Sequence, residues 1–127
     1  MFSHVMVGSN DIERSRTFYD ALFTATGGKP GRKDEKGRLI YLNNGGIFMV
    51  SQPLDGQAAT HGNGATIGFA MDSPEQVHAW HEAGCANGGR SCEDPPGLRD
   101  GTYGKLYLAY LRDPDGNKLC ALHRVPA

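Results

Sequence analysis

Phe2-Ser3-His4-Val5-Met6-Val7-Gly8 and Gly64-Ala65-Thr66-Ile67-Gly68-Phe69-Ala70 lie 62 residues apart and read alike. Apolar residues alternate in both, Val5 and Val7 in the first, Ile67 and Phe69 in the second. That is the period-2 pattern of a short, half-buried strand. The residues after each strand match as well. Asn10-Asp11 precedes Ile12-Glu13, and Asp72-Ser73 precedes Pro74-Glu75. Both pairs are helix starts. Asn10 or Asp11 can cap the first helix. Ser73 can cap the second, with Pro74 at its first position and Gln76 completing a capping box. At the same spacing Phe18 falls on Trp80. Ile12, Tyr19, Leu22 and Phe23 give the first helix an apolar face, and Val77 and Trp80 give the second a weaker one. Gly27-Gly28 and Gly88-Gly89 lie just beyond the helix ends.

Three strand-like runs follow each helix. In the first half they are 29–34, 38–43 and 46–51, the last two joined by the turn Asn43-Asn44-Gly45-Gly46. In the second half the well-marked pair is 105–112 and 118–124. Asp113-Pro114-Asp115-Gly116-Asn117 joins them, a strong hairpin signal. The spacing has grown to about 72 here, with the extra residues in the Pro/Gly-rich stretch 93–104. The chain therefore reads as one domain over 1–127: a βαβββ module over about 1–53, a connector at 54–63, and a second βαβββ module over about 64–127. The fold class expected is α+β, two modules forming half-open mixed sheets around a cavity.

Composition bounds the function. A formal net charge of -1, with no run of like charges beyond two or three residues, gives no footprint for nucleic acid or an anionic membrane. No stretch approaches the ~20 apolar residues of a membrane span. Met1–Val7 has neither a charged n-region nor a long apolar core, and Cys85, Cys92 and Cys120 are odd in number and irregularly spaced. Both features fit a cytoplasmic protein with reduced thiols.

His4-Val5-Met6-Val7 followed by Asp11-Ile12-Glu13-Arg14-Ser15 and Phe18-Tyr19, Gly62-Asn63-Gly64 leading into the second opening strand, and Tyr110-Leu111-Arg112-Asp113-Pro114-Asp115-Gly116-Asn117-Lys118-Leu119 together carry a resemblance. The chain resembles the vicinal-oxygen-chelate superfamily of glyoxalases, bleomycin-resistance proteins and extradiol dioxygenases, over essentially its whole length. The resemblance implies a homodimer and a cavity between modules. In metalloenzymes of this kind it also implies a divalent metal (Zn, Ni, Fe or Mn) held by first-strand and last-strand residues as a Lewis acid. Position by position, the ligand set carries over onto His4, Phe48 (or Met49 if the register slips by one), Thr66 and Cys120. Only His4 and Cys120 have ligand chemistry, where a catalytic site needs about three protein ligands. The depleted set argues against a catalytic metal.

Other candidates come from residue type. His78 and His81 sit at i, i+3 on the second helix, a spacing that can chelate but more often lies on a solvated face. His61 reads as a loop residue. Strand alternation turns His123 away from Cys120. Arg99, Tyr103, Tyr107 and Tyr110, in or after the long loop, can line a ligand cavity with Phe48 and Thr66, Arg90 and Arg38 being further options. No catalytic residue is assigned. Three functions compete: a glyoxalase- or dioxygenase-like enzyme on a small oxygenated molecule, a metal-free protein that binds and sequesters an antibiotic-type molecule, and a metal-free enzyme using Cys120 or a tyrosine. The first is favoured narrowly, with the usual metal site depleted.

Overall fold

The computed structural model describes all 127 residues. Its elements run β1 (Val5–Gly8), α1 (Ile12–Ala25), β2 (Arg32–Lys33), β3 (Leu39–Asn43), β4 (Gly46–Ser51), β5 (Ile67–Ala70), α2 (Pro74–Ala86), β6 (Arg90–Ser91), β7 (Gly97–Gly101), β8 (Gly104–Arg112) and β9 (Lys118–Arg124). The fold is α+β, with two open mixed sheets. The first has the order β1-β4-β3-β2. The second has β5-β9-β8-β6, with β7 also paired to β8. In each sheet the opening strand lies parallel to the last strand, and the remaining pairs are antiparallel.

Local chemistry explains the repeat. The Asp11 side chain caps α1 by accepting from the Arg14 amide at 3.0 Å, and Ser73 caps α2 by accepting from the Gln76 amide at 3.2 Å. Gln76 does not close the expected box on the cap residue. Its Oε1 accepts from the amide of Asp72, one residue earlier, at 2.7 Å. Gly27 and Gly88, both with positive φ, each follow a helix cap, and the next glycine's amide returns to the last turn (Gly28 to Phe23 O, Gly89 to Gly84 O, 2.8 Å each). Asn44 and Gly45, at φ 50 and 81, make the two-residue turn between β3 and β4.

Two differences from the sequence reading stand out. The runs beginning each post-helical set shrink to two-residue strands, β2 and β6. The stretch 93–104, expected as a loop, contains β7, which pairs with β8 from Gly97 opposite Leu108 to Gly101 opposite Gly104. Gly97-Leu98-Arg99-Asp100-Gly101 has no apolar alternation because it is an edge strand that buries little.

The helix-facing sides of both sheets meet in one core. Val7, Leu39, Tyr41, Phe48 and Val50 of the first sheet share a cluster with Phe18, Tyr19 and Leu22 of α1, Val77 and Trp80 of α2, and Ala109, Leu111, Leu119 and Ala121 of the second sheet. Each large apolar side chain fully buried here contributes about 1.5–3 kcal/mol. α1 and α2 pack on each other. Gly84 and Gly89 make room for this: a Cβ on Gly84 would stand 2.3 Å from Leu111 Cδ1, and one on Gly89 2.4 Å from Phe18 Cε1.

A polar clasp also joins the halves. Asp113, 2% exposed, accepts at Oδ1 from the amides of Asp115 and Asn117 and at Oδ2 from Asn117 Nδ2 and the Tyr19 hydroxyl, the last at 2.6 Å. Asp115 then accepts from the Asn10 amide and from Arg14, 2.9 and 2.8 Å. The Asp113–Asn117 hairpin therefore does more than turn the chain; it ties β8 and β9 to the opening of α1. Burial first, and then the Asp113 charge, raise the Tyr19 hydroxyl well above the ordinary tyrosine value. No helix is long and apolar enough to cross a membrane.

Candidate functional site

Strand alternation divides each sheet into a core side and a far side. On the first sheet Val7, Phe48 and Val50 face the core. Met6, Leu42 and Ile47 face away and stay 39–57% exposed. On the second sheet Leu119 and Ala121 join the core cluster, whereas Cys120 and Leu108 are buried outside it, on the far side. The register also settles which residues correspond. Val5 pairs with Phe48 and Ile67 with Leu119. The last-strand equivalent of Cys120 is therefore Met49, the slipped alternative, and Phe48 points into the core.

The far side of the second sheet gathers most of the chemistry. Tyr110 on β8 stands opposite Cys120 on β9, and the Cys92 amide donates to Tyr110 O at 3.4 Å. One row across the sheet is therefore Cys92, Tyr110, Cys120. The neighbouring row is Arg90, Arg112, Lys118. Lys118 pairs with the Glu93 carboxylate and lies over the Tyr110 ring, 5.0 Å from its centroid. Glu93 sits at φ 57, unusual for a side-chain-bearing residue, and places the one carboxylate among these cations. Like charges directly opposite each other on neighbouring strands repel.

The protonation states reflect the surroundings. Burial pushes the Cys120 thiol up, against the hydrogen bond with Tyr110, and burial also raises the Tyr110 hydroxyl. The Glu93 hydrogen bond raises Lys118. At neutral pH the group is an ammonium, a phenol and a thiol, all donors.

Tyr110, Cys120 and Arg90 share this face, and the other residues singled out from sequence lie elsewhere. His4 is exposed just before β1, with Ser3 Oγ 2.8 Å from its Nδ1. Thr66 is exposed beside β5. Tyr107 faces α2, its hydroxyl 2.6 Å from His78 Nε2. Tyr103 is 96% exposed at the β7–β8 turn. Arg99 turns onto its own loop and donates to Pro95 O at 2.8 Å, and Arg38 pairs with Asp34 at 2.7 Å. His81 contacts Ser91 Oγ, so the two α2 histidines hold separate partners; burial lowers the His81 pKa. His61 lies against Gly116. His123 donates from Nδ1 to Met71 O at 3.0 Å, away from Cys120 as alternation requires.

This donor set does not fit a catalytic divalent metal. The four corresponding positions hold His4, Met49, Thr66 and Cys120. Only His4 and Cys120 have ligand chemistry, short of the roughly three protein ligands a catalytic site needs. No three His, Cys, Asp or Glu side chains cluster as a metal site. Lys118, Glu93 and Arg112 were missed by sequence reading, whereas Arg90 had been offered as a further option. The hairpin register that aligns them with Tyr110 and Cys120 was the signal available, since it runs outward from Asp113–Asn117.

A separate cavity of about 360 Å³ opens where the two sheets meet on the core side. Of the sequence candidates only Phe48 lines it. The cavity lies apart from the thiol, phenol and cation rows. Those rows carry the chemistry expected of the candidate site.

The pattern of the Glyoxalase/Bleomycin resistance protein/Dioxygenase superfamily matches residues 1–121. Among solved structures, a glyoxalase/bleomycin resistance protein from Albidiferax ferrireducens T118 is 62% identical. The match covers 98% of this chain and 99% of that one, with a TM-score of 0.94. A hypothetical protein, SA1046, from S. aureus is 19% identical over 97% and 93% of the two chains, TM-score 0.73. The fosfomycin resistance protein FosX from Mesorhizobium loti is 15% identical over 98% and 92%, TM-score 0.67. The last two share the fold. No curated protein matches the chain.

Proposed function

The chain belongs to the glyoxalase/bleomycin resistance protein/dioxygenase superfamily, and from that premise we propose that it binds a small oxygenated, anionic molecule in a cleft completed by a second copy of itself. One observation carries this reading: the chemistry-bearing groups lie on sheet faces turned away from the chain's own core. The far side of the first sheet offers apolar surface at Met6, Leu42 and Ile47, with His4 at its edge. The far side of the second offers Tyr110, Cys120, Lys118, Arg112 and Arg90. β1 and β5 are both edge strands with one side unpaired. Facing the first sheet of one copy with the second sheet of another covers the apolar surface and puts a donor-rich wall opposite an apolar one. Such a combination suits a ligand with an apolar body and an oxygen-rich head.

Binding without a metal, as in sequestration, is favoured over chemistry. The thiol, phenol and ammonium are all held protonated and the one carboxylate, Glu93, is engaged by Lys118, so the face presents mainly donors. The probes are phenylphosphonate, benzoate and benzyl alcohol in a thermal-shift assay. The two anions are expected to raise Tm with concentration, the neutral alcohol much less, and Arg112→Met to weaken the anions' effect. Equal shifts from all three, or none from the anions, contradict the reading.

A further inference from the structure

We propose a second ligand site: the seam cavity on the core side binds a flat apolar molecule carrying a cationic head. This goes beyond the anion cleft of the far sides, rests on different residues and calls for the opposite ligand charge. The cavity, about 360 Å³ and partly open, falls within the ~300–1,000 Å³ typical of small-molecule pockets. Its walls come from both halves of the chain: Phe23, Tyr41 and Phe48 on one side, Phe69 and Trp80 on the other. These rings meet mainly edge-on or tilted. Phe48 and Phe69 lie 5.4 Å apart at 72°, and Phe23 and Phe69 5.7 Å apart at 90°. Rings of the two halves touch across the seam, so together they form one aromatic floor on which a flat aromatic body can lie.

The mouth sets the charge. Asp72 is the one charged residue of the lining, and its carboxylate makes no hydrogen bond or ion pair within the chain. Asn43 and Asn44 also belong to the lining, and their side-chain amides have no partner in the protein. The last turn of α1, which also borders the cavity through Thr26 and Gly27, holds no basic residue. Asp72 is therefore the one charge in the lining itself, while Lys29, Arg32 and Lys33 lie in the adjoining cleft that shares Gly27, Asn43 and Asn44. An ammonium group on the ligand would meet Asp72 while its rings lie on the aromatic floor.

Trp80, the sole tryptophan, lines the cavity and reports on it directly. The test titrates the protein with 4-phenylbenzylamine, 4-phenylbenzyl alcohol and biphenyl-4-carboxylate while monitoring Trp80 emission. The amine is expected to give a saturable change, binding about tenfold or more tighter than the carboxylate, the order expected for one ion pair at a partly exposed site. Asp72→Asn should erase the preference of amine over alcohol while leaving the alcohol's affinity unchanged. Val5→Phe and Ile67→Phe, which add volume from opposite walls at half-buried strand positions, should each abolish the response. Two fillers guard against one failing to fold, and far-ultraviolet circular dichroism checks both. No saturable response to the amine, equal binding of amine and carboxylate, or full binding by both folded fillers overturns the proposal. The anion assay on the far sides is unaffected by any of these outcomes.

Discussion

The two halves of the molecule share a topology and differ in what they do with it. β1, α1, β3 and β4 match β5, α2, β8 and β9 in order and pairing. The first sheet turns an apolar far side outward, with Met6, Leu42 and Ile47 exposed. The second turns outward a cross-strand row of three cations beside a row containing two thiols and a phenol. It also carries an extra edge strand, β7, and the hairpin that clasps the other half. A duplicated fold thus keeps its core symmetric while its outward faces diverge, one apolar and one rich in cations. The shared repeat needs the alternation and the helix caps; the divergence uses positions the core does not see.

The hairpins give the largest test of that asymmetry. Asp113→Ala removes an acceptor that serves two amides, Asn117 Nδ2 and the Tyr19 hydroxyl. It should cost about 3–4 kcal/mol, each stranded buried donor costing about 1–3 kcal/mol, measured by denaturant unfolding. At the corresponding hairpin of the first sheet, Asn44→Ala changes only a residue at φ 50 on an exposed turn and should cost about 1 kcal/mol. Equal losses would mean that the second hairpin is a turn like the first and no clasp.

Alkaline stability sharpens the same comparison. Burial and the Asp113 charge raise Tyr19; burial and the Asp20 hydrogen bond raise Tyr41. A folded-state value above the unfolded one means that stability is fully present below the ordinary tyrosine value of 10.0 and falls as pH rises past it, when the unfolded chain loses protons that the folded chain keeps. Tyr19→Phe should flatten that fall, although it costs stability at neutral pH. A fall unchanged in Tyr19→Phe contradicts the assignment.

Much of this was legible in the sequence. Alternation in 4–8 and 66–70, the caps Asp11 and Ser73, and Asp113–Asn117 placed both sheets and both helices. The departures have local causes. Counting residues over a spacing of 72 set Phe48 against Cys120, whereas the ladder aligns Met49 with it, and a one-residue slip turns a side chain from one sheet face to the other. β7 carries too few apolar residues to announce itself. Tyr110 and Cys120 were chosen by residue type. Their neighbours Lys118, Glu93 and Arg112 look like ordinary surface charges until strand register aligns them. The seam cavity has no linear signal, because it exists only where the two sheets meet.

The thiols give a smaller effect. Cys120 is buried and held protonated, while Cys85 is exposed, 3.9 Å from His81 Nε2. A thiol reagent at neutral pH should modify Cys85 first and Cys120 roughly tenfold or more slowly, read by mass spectrometry of proteolytic peptides. Fast modification of Cys120 would revive the reading of an activated nucleophile.

The most direct test of the account is the mass of the protein in solution, measured by sedimentation equilibrium for the native chain and for a Met6→Glu, Leu42→Glu double variant. Both substitutions fall on exposed far-side positions of the first sheet and leave the core untouched. The cleft between copies predicts the mass of two chains for the native protein and of one for the folded variant, with loss of the anion-dependent rise in Tm. A native protein that sediments as one chain, or a variant that still pairs and still binds the anions, contradicts it.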